Sequence, residues 1–284
     1  MNARSERALS GPESSERTGQ LKAGKERFPF LWNILPYFLW ISLGLAPGFP
    51  APTGDAFPES GTVVRVTDGD TATIRFADGV ERRVRFIGVD APEMDDPRED
   101  VAFRAFLSKR FAFHNLYGRN IRLTYDFSPL DEHGRVLAYL WLEEEKLFNE
   151  FIIREGFAAA FLKYPYRKDY QERFRAAEAE ARKENRGFWR RDAPAVISVS
   201  EVRSHLGEVI SVHFRCAEVS RKKSFLYLRP ADEPFEALAP RDRLPFFPGI
   251  ETCGGEEIIV TGFLEEFRGR PQIMLSFRRQ LRLT

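Results

Sequence analysis

Apolar and polar residues alternate in several short stretches of the chain, and this period of two is typical of β-strands with one buried face. In residues 71–76, for example, Ala72, Ile74 and Phe76 fall on the same side of an extended backbone. Turn signals, such as the Ala-Asp-Gly run at residues 77–79, separate one stretch from the next. The pattern predicts five strands, at residues 62–66, 71–76, 81–89, 121–125 and 135–142.

Apolar residues three and four positions apart mark helices in the same part of the chain. In the first predicted helix, Phe103, Phe106 and Phe111 share one side. The predicted helices cover residues 101–116, 147–156 and 170–185. Five short strands with helices between and after them predict an α+β, mainly β domain over residues 61–192, built as a small closed barrel with three helices.

A second strand-rich region follows an Ala-Pro pair at residues 193–194, which is a signal for a domain boundary. Its apolar stretches predict strands at residues 207–217, 224–229, 256–264 and 271–277. The pattern around Gly262 and residues 269–273 resembles OB folds that bind nucleic acid. Residues 195–284 are therefore predicted to form a second, smaller OB-like β-barrel.

Basic and aromatic residues adjoin in this second region. Arg221, Lys222 and Lys223 stand next to Phe225 and Tyr227. OB barrels hold single strands with a basic groove and with aromatic rings that stack on bases, so this is the best candidate patch for nucleic acid there. A solvated run of charges beside core aromatics is an equally good interpretation, and a protein or sugar ligand is also open.

The amino-terminal part of the chain has a different composition. Residues 1–27 are polar and mixed in charge, which favours disorder, whereas residues 28–49 carry no charged side chain and are long enough to cross a bilayer. Basic residues just before this apolar stretch predict that residues 1–27 stay in the cytoplasm and that the rest is exported. A retained signal anchor is favoured over a cleaved signal peptide, and residues 50–60 are predicted to be a linker. We therefore expect a membrane-anchored protein on the extracytoplasmic side, or a secreted or periplasmic protein after cleavage.

Composition excludes several other classes of site. The chain of 284 residues is 43% hydrophobic and 30% charged, and its formal net charge of +1 gives no global positive field that would attract nucleic acid. Four scattered histidines and two cysteines argue against a histidine-based or thiolate-based metal centre. Cys216 and Cys253 flank predicted strands that would pair in an OB barrel, so a disulfide is a prediction for an exported protein.

Three carboxylates and two arginines stand on or beside the predicted strands. Asp70 follows a turn, Asp90 ends a strand, and Glu93 comes three residues later, behind a proline. Carboxylate oxygens with a backbone carbonyl suit calcium, which is a hard cation, while a glutamate can orient or deprotonate a water. Arg85 and Arg135 match a phosphate through paired N–H donors and would stabilise its transition-state charge. Singly, each residue is more often a turn, helix-entry or solvated strand residue; together, in this order, they predict a phosphodiester site.

Residues 66–71, 85–93, 134–139 and 147–150 resemble the staphylococcal nuclease family, as does the last predicted helix with the Phe-Trp pair at residues 188–189. The resemblance implies a five-stranded OB-type barrel with three helices. It also implies the site residues: for calcium, Asp70, Asp90 and the carbonyl of Ala91; as general base or water orienter, Glu93; for the phosphate, Arg85 and Arg135. The family cleaves DNA and RNA and leaves 3′-phosphate ends, so the same reaction is implied for this chain.

Some positions depart from the family pattern. Ala91 replaces a threonine, which is tolerable because only the backbone carbonyl is needed there. His133 replaces a tyrosine that contacts the terminal phosphate; a histidine can still donate to phosphate, more so when protonated, and a plain loop residue is an equally weighted alternative. Tyr164 and Tyr166 are candidates for the family's substrate tyrosines, with a packed loop as the alternative.

The leading hypothesis is a monomeric enzyme, a calcium-dependent endonuclease that hydrolyses phosphodiester bonds of DNA, RNA or both and is held at a membrane by residues 28–49. The alternative is a non-catalytic nucleic-acid-binding or interaction module made from two tandem OB-type barrels. A pure binding module usually loses at least one catalytic residue, and none of the five is missing, which favours the enzyme. Asp70 and Asp90 on opposite sides of the barrel, or Arg85 and Arg135 pointing away from them, would contradict the hypothesis.

Overall fold

The computed structural model describes residues 57–284. The predicted cytoplasmic tail at residues 1–27, the apolar stretch at residues 28–49 and most of the predicted linker lie outside the described residues. Across residues 57–284, no helix combines the length and the apolar character that crossing a membrane requires.

The first part of the described chain forms a closed barrel of five strands. Its elements are β1 (Ser60–Val66), β2 (Thr71–Phe76), β3 (Glu81–Phe86), β4 (Val89–Asp90), α1 (Glu99–Leu116), β5 (Asn120–Thr124), β6 (Val136–Trp141), α2 (Phe148–Arg154), β7 (Ala159–Ala160) and α3 (Lys168–Lys183). The barrel order is β1-β2-β3-β6-β5, where β3 and β6 are parallel and the other pairs are antiparallel. The predicted closed barrel with five strands and three helices is therefore confirmed.

The third strand is shorter than the alternation pattern predicted. It was expected to continue to Val89, but β3 ends at Phe86 and the chain turns at Gly88, whose φ is +72°. A β-carbon at Gly88 would lie 2.6 Å from the ring of Phe174, so the turn and the close packing of α3 both require glycine. The turn releases Val89 and Asp90 from the barrel wall, and they pair instead with β7.

The barrel interior is filled by the apolar faces of the alternating strands. Val63, Ile74, Val84 and Phe86 are almost completely buried. The helices close the barrel with further rings, and Phe148 of α2 meets Phe86 edge to face with 5.6 Å between the ring centroids. Burial of each such side chain stabilises the fold by roughly 1.5–3 kcal/mol, so the barrel can hold polar groups at its edge in fixed positions.

The second part of the described chain forms one sheet of eight strands. Its strands are β8 (Val196–Ser198), β9 (Val209–Arg215), β10 (Glu218–Lys222), β11 (Phe225–Arg229), β12 (Glu236–Pro240), β13 (Glu257–Phe267), β14 (Arg270–Met274) and β15 (Leu281–Leu283). Short 3-10 helices cover Gly187–Trp189, Val199–His205, Arg241–Phe246 and Arg278–Gln280. The sheet order is β10-β11-β12-β14-β13-β9-β8, with β15 paired to β13.

The second sheet repeats part of the connectivity of the first barrel. β12 and β14 are parallel neighbours, as β3 and β6 are in the barrel. Only Cys216 and Ala217 separate β9 from β10 along the chain. β12 was not predicted, because its sequence of Glu, Ala, Leu, Ala and Pro has low strand propensity. The assignment of residues 195–284 as an OB-like nucleic-acid-binding barrel stays a prediction.

The two cysteines lie together inside this second part. Cys216 and Cys253 are buried free thiols with their sulfur atoms 3.9 Å apart. Their proximity follows from the antiparallel pairing of β9 with β13. A disulfide between them stays a prediction.

Helix α1 is shared by the barrel and the second sheet. Arg110 of α1 forms an ion pair with Glu265 of β13, and Arg110 Nε donates to Glu265 Oε2 at 3.0 Å. Gln272 donates to the same carboxylate at 2.7 Å, and Glu265 is only 1% exposed. Beside this polar contact, the rings of Phe111 and Phe263 meet with centroids 5.9 Å apart. The two parts of the described chain therefore share one interface with a buried ion pair at its centre.

The mutation Glu265→Ala should lower the free energy of unfolding by about 3–5 kcal/mol, because it leaves the Arg110 cation buried without its partner. The measurement is urea unfolding of the purified protein, followed by circular dichroism. The neighbouring Glu266→Ala serves as the control, since Glu266 is exposed and makes only a 3.4 Å ion pair with Arg203. Its cost should stay below about 1 kcal/mol. Equal costs for the two mutations would contradict the central role of the buried pair.

Candidate active site

Asp70 lies at the end of the turn that joins β1 to β2. Within the turn, the Asp70 N–H donates to Asp68 Oδ1 at 3.1 Å, which is a common way for aspartate to stabilise a turn. The Thr67 N–H donates to the carbonyl of Thr71 at 2.9 Å. Asp70 is only 5% exposed, and a carboxylate so deeply buried needs close partners.

Groups from three parts of the chain satisfy the Asp70 carboxylate. The hydroxyl of Thr71 donates to Oδ1 at 3.0 Å, and the backbone N–H of Ala91 donates to Oδ2 at 2.9 Å. Arg85 forms an ion pair with Oδ1. The backbone carbonyl of Asp70 also accepts the N–H of Phe86 at 2.8 Å. One aspartate thus ties the β1–β2 turn to the end of β3 and to the segment that follows β4.

The charge of Arg85 is balanced by groups around it. Its side chain lies on β3 and is 18% exposed. Burial is the main cause that lowers the pKa of the Arg85 guanidinium, and the positive charge of Arg135 lowers it further. The carboxylates of Asp68, Asp90 and Glu93 oppose that shift. Both arginines and these carboxylates therefore share one electrostatic neighbourhood at the same edge of the barrel.

Arg135 is held in place by the loop that precedes β6. Its Nε donates to Asp131 Oδ2 at 2.7 Å, while its backbone N–H and that of His133 donate to Asp131 Oδ1, each at 2.9 Å. Burial alone would raise the pKa of Asp131, but the hydrogen bonds and charge of Arg135 outweigh it and lower the pKa. Since the ion pair uses Nε, Asp131 fixes the direction of Arg135 while the guanidinium keeps further donors for a phosphate.

Asp90 and Glu93 form the open side of the site. Both residues are exposed. Asp90 pairs with Ala159 across the short β4–β7 sheet, and the next residue, Ala91, is buried with its N–H on Asp70. A single step along the backbone therefore separates the exposed carboxylate of Asp90 from the buried cluster around Asp70. Asp90 is thus the neighbour in sequence of a residue that contacts Asp70, and its role as a second metal ligand stays a prediction.

The chemistry of these donors fits a hard cation. Asp70 and Asp90 offer carboxylate oxygens and Ala91 offers a backbone carbonyl, which are the ligand types that calcium prefers. A carboxylate has about four lone-pair positions, so Asp70 keeps acceptor capacity beyond its three contacts. Between residues 57 and 284, however, no group of three or more His, Cys, Asp or Glu side chains is arranged as a metal cluster. A cation here would therefore rely on few protein ligands and complete its shell with water or substrate oxygens.

The three predicted substrate-binding residues lie in different environments. His133 is at the tip of its loop with a side chain that is 67% exposed, and Tyr164 is 59% exposed. Tyr166 is buried and packs on Phe174 with 6.0 Å between ring centroids, and this burial raises its pKa to about 12. In this conformation Tyr164 is open to a ligand, whereas Tyr166 contributes to the core. Their roles toward a substrate stay predictions.

Local sequence patterns did not predict two residues of the site, Asp131 and Ser108. Asp131 anchors Arg135. Its position three residues before Gly134 is typical of a turn in which the aspartate side chain accepts hydrogen bonds from the backbone that follows. Ser108 of α1 lies against the turn before Asp70, and a β-carbon at Gly69 would be 1.8 Å from its Oγ. No local pattern marks Ser108, because its contact depends on how the helix docks on the barrel.

The predicted basic and aromatic patch of the second region lies on the β10–β11 hairpin. Lys222 and Phe225 are paired across the two strands, and the guanidinium of Arg229 lies 4.6 Å from the centre of the Tyr227 ring. Arg221 is already engaged in an ion pair with Glu251. The basic residues of the patch are exposed and its aromatic rings are partly buried, and its ligand stays a prediction.

The closed five-stranded barrel is of the OB type, and it carries a site made of carboxylates and arginines. Comparison with known proteins identifies the family within this class. The family model for "Staphylococcal nuclease homologue" matches residues 83–191. The chain belongs to the staphylococcal nuclease family.

Several characterised proteins are similar to this chain. The thermonuclease of Staphylococcus intermedius is 39% identical over 143 residues, which cover 50% of this chain and 83% of that protein. The thermonuclease of Staphylococcus hyicus is 39% identical over 127 residues, which cover 45% of this chain and 73% of that protein. Endonuclease YhcR of Bacillus subtilis (strain 168) is 27% identical over 211 residues, covering 71% of this chain and 17% of that protein.

Close packing of the Asp70 turn on α1 predicts that Gly69→Ala is destabilising by about 1–3 kcal/mol, because the added methyl group overlaps Ser108 and must displace the turn. In a Ser108→Gly background the same change should cost less, since the closest overlap is gone and only the Ala91 Cβ remains, at 2.8 Å. Urea unfolding of the four proteins of this double-mutant cycle measures the coupling.

Gly254→Ala is the matched control for this cycle. A β-carbon at Gly254 would have its nearest neighbour at 3.8 Å, an ordinary contact distance. Its effect should therefore be small in both backgrounds. Equal costs of Gly69→Ala with and without Ser108 would show that the helix does not hold the turn.

Proposed function

We propose that the protein is a calcium-dependent nuclease that hydrolyses phosphodiester bonds in DNA, RNA or both and leaves 3′-phosphate ends. One observation carries the proposal: Arg85 and the N–H of Ala91 both contact the buried carboxylate of Asp70. Asp90 and Glu93, which follow β3 along the chain, are exposed. The names of the relatives, thermonuclease and endonuclease, support the same class of reaction.

The arginines would bind the scissile phosphate. Arg85 is positioned by its ion pair with Asp70 and Arg135 by its contact with Asp131, so neither guanidinium is free to turn away. Planar N–H donors can grip two phosphate oxygens and become more effective as negative charge grows on the phosphorus oxygens in the transition state. In the reaction, water adds to phosphorus, the bond from phosphorus to the 5′ oxygen breaks, and that oxygen takes a proton from solvent and leaves as a hydroxyl.

Glu93 would act on the attacking water. Its carboxylate is exposed and lies three residues past Asp90, with Pro92 restricting the backbone between them. An exposed carboxylate can accept a hydrogen bond from water and take up its proton as the oxygen bonds to phosphorus. The carboxylate of Glu93 also opposes the lowering of the Arg85 pKa, which supports a role for Glu93 near the proposed phosphate position.

Asp70, Asp90 and the carbonyl of Ala91 would hold the cation. When bound, calcium would supply positive charge that neutralises the phosphate and favours ionisation of water. The protein's own contribution would be to bring oxygen donors from the β1–β2 turn and from the segment of β4 and Ala91 to the cation. The retained set of carboxylates and arginines also favours an enzyme over the alternative of a pure binding module.

The purified protein should degrade single-stranded DNA in the presence of calcium and stop when EDTA is added. On an oligonucleotide with a fluorophore at its 5′ end, the labelled products should change mobility after phosphatase treatment, because the only new end that they carry is the 3′ end. Arg85→Ala removes a phosphate contact and Glu93→Gln removes the proton acceptor, so each should lower kcat/KM on the order of 10²–10⁴-fold. Activity assays with labelled oligonucleotides measure these changes.

Arg75→Ala is the control for Arg85→Ala. Arg75 lies on the neighbouring strand β2, but its side chain is 55% exposed and paired with Glu81. Its removal should leave kcat/KM within a few-fold of the original value. Full activity in either the Arg85 or the Glu93 variant would refute the assigned roles, and binding of DNA without any cleavage would favour the binding module.

We also propose that the described domains lie outside the cytoplasm, either anchored or released after cleavage. The uncharged stretch at residues 28–49, preceded by basic residues, supports this orientation. With tags at both ends, protease added to bacterial spheroplasts should remove the carboxy-terminal tag. The amino-terminal tag, if it is not lost by processing, should be protected. A carboxy-terminal tag that is protected in sealed cells and digested after lysis would contradict the proposal.

A further inference from the structure

Phe127 is the most exposed large hydrophobic side chain between residues 57 and 284. It is 91% exposed, well above Tyr164 at 59% and Phe246 at 51%. Full burial of such a ring would be worth roughly 1.5–3 kcal/mol, so leaving it in water gives no stability to the fold. An apolar ring presented in this way is available for a ligand.

The backbone that carries Phe127 is nevertheless well fixed. The Phe127 N–H donates to Asp126 Oδ1 at 2.8 Å. The other oxygen of Asp126 accepts the hydroxyl of Tyr139 at 2.8 Å, and Tyr139 is buried in the barrel core. Further along the loop, the N–H of Leu137 donates to the carbonyl of Pro129 at 2.9 Å. The ring is therefore held out in solvent by an anchored loop.

The loop that carries Phe127 ends at the candidate site. It runs from β5 to β6, and its far end holds Arg135 through Asp131. Asp126 also accepts the backbone N–H of Arg167 at 2.8 Å, which joins this loop to the segment that carries Tyr164. That segment begins beside β7, the strand that pairs with Asp90. The two most exposed aromatic rings of the described chain thus stand on neighbouring segments, both of which connect to the site.

We propose that Phe127 is a stacking platform for a nucleobase of a single-stranded substrate, on the loop that leads to the phosphate-binding Arg135. The inference rests on the proposed nuclease function and extends it to how the substrate strand is gripped. A flat ring in water suits the face of an unpaired base, because every base has such a face. Lys163, beside Tyr164, supplies positive charge for the flanking phosphates. Bases stacked within a duplex cannot reach the ring, so the contact favours single strands.

The test measures binding of a labelled single-stranded oligonucleotide by fluorescence anisotropy, in calcium and with every variant in a Glu93→Gln background, so that cleavage is slow. Phe127→Ala should weaken binding by about 5- to 100-fold, as expected for the loss of one base–aromatic stack. Phe127→Trp should retain binding, whereas Phe127→Leu, which keeps apolar volume without a flat ring, should weaken it like alanine. Phe246→Ala, an exposed ring in the second sheet region, is the matched control and should change binding less than twofold.

An oligonucleotide of the same length with abasic sites separates base contacts from phosphate contacts. The original protein and Phe127→Ala should bind it equally, and cleavage of normal single strands in calcium should show a raised KM with little change in kcat. If Phe127→Ala binds and cleaves like the original protein, or if Phe127→Leu retains full binding, the stacking proposal is overturned. If the original protein itself neither binds nor cleaves nucleic acid, the proposed function fails, and that result is distinct from either of these.

Discussion

The candidate site depends on one buried carboxylate. Asp70 is held by the N–H of Ala91, the hydroxyl of Thr71 and the guanidinium of Arg85, and a carboxylate with so little exposure is tolerated only when such partners are present. The requirement acts in both directions. The charge of Asp70 fixes where Arg85 and the segment after β4 must lie, and the barrel that brings these segments together makes the buried charge acceptable.

Helix α1 connects this cluster to the second sheet. Ser108 packs against the Gly69 turn, and Arg110, two residues later, forms the buried pair with Glu265. Residues two positions apart in a helix point about 200° apart, so α1 is held between the carboxylate turn and β13. The second sheet therefore supports the helix against which the Asp70 turn packs. This gives the carboxy-terminal region a structural connection to the site that does not depend on nucleic-acid binding.

Local patterns in the sequence were sufficient to predict the barrel, because alternation and helical spacing depend only on nearby residues. They placed β2 at its observed bounds and all three helices within a few residues. They failed where tertiary contacts decide. The early end of β3 depends on packing of Gly88 against Phe174, and the pair of Arg110 with Glu265 joins residues 155 positions apart. Similarly, the Tyr-Pro-Tyr sequence at residues 164–166 could not reveal that Tyr166 is buried while Tyr164 is exposed, since both tyrosines adjoin the same proline.

The balance of charge at the site gives a physical reason why a cation would be needed. Five carboxylates lie in or beside it against two arginines: Asp68, Asp70, Asp90, Glu93 and Asp131, with Arg85 and Arg135. Burial raises the pKa of Asp68, and the neighbouring Arg85 opposes that shift. A phosphodiester, itself an anion, would meet repulsion from the exposed Asp90 and Glu93 as it approached the arginines. A divalent cation among the carboxylates would remove most of this repulsion. The same carboxylates that repel a phosphate in the cation-free site would thus bind the cation that attracts it.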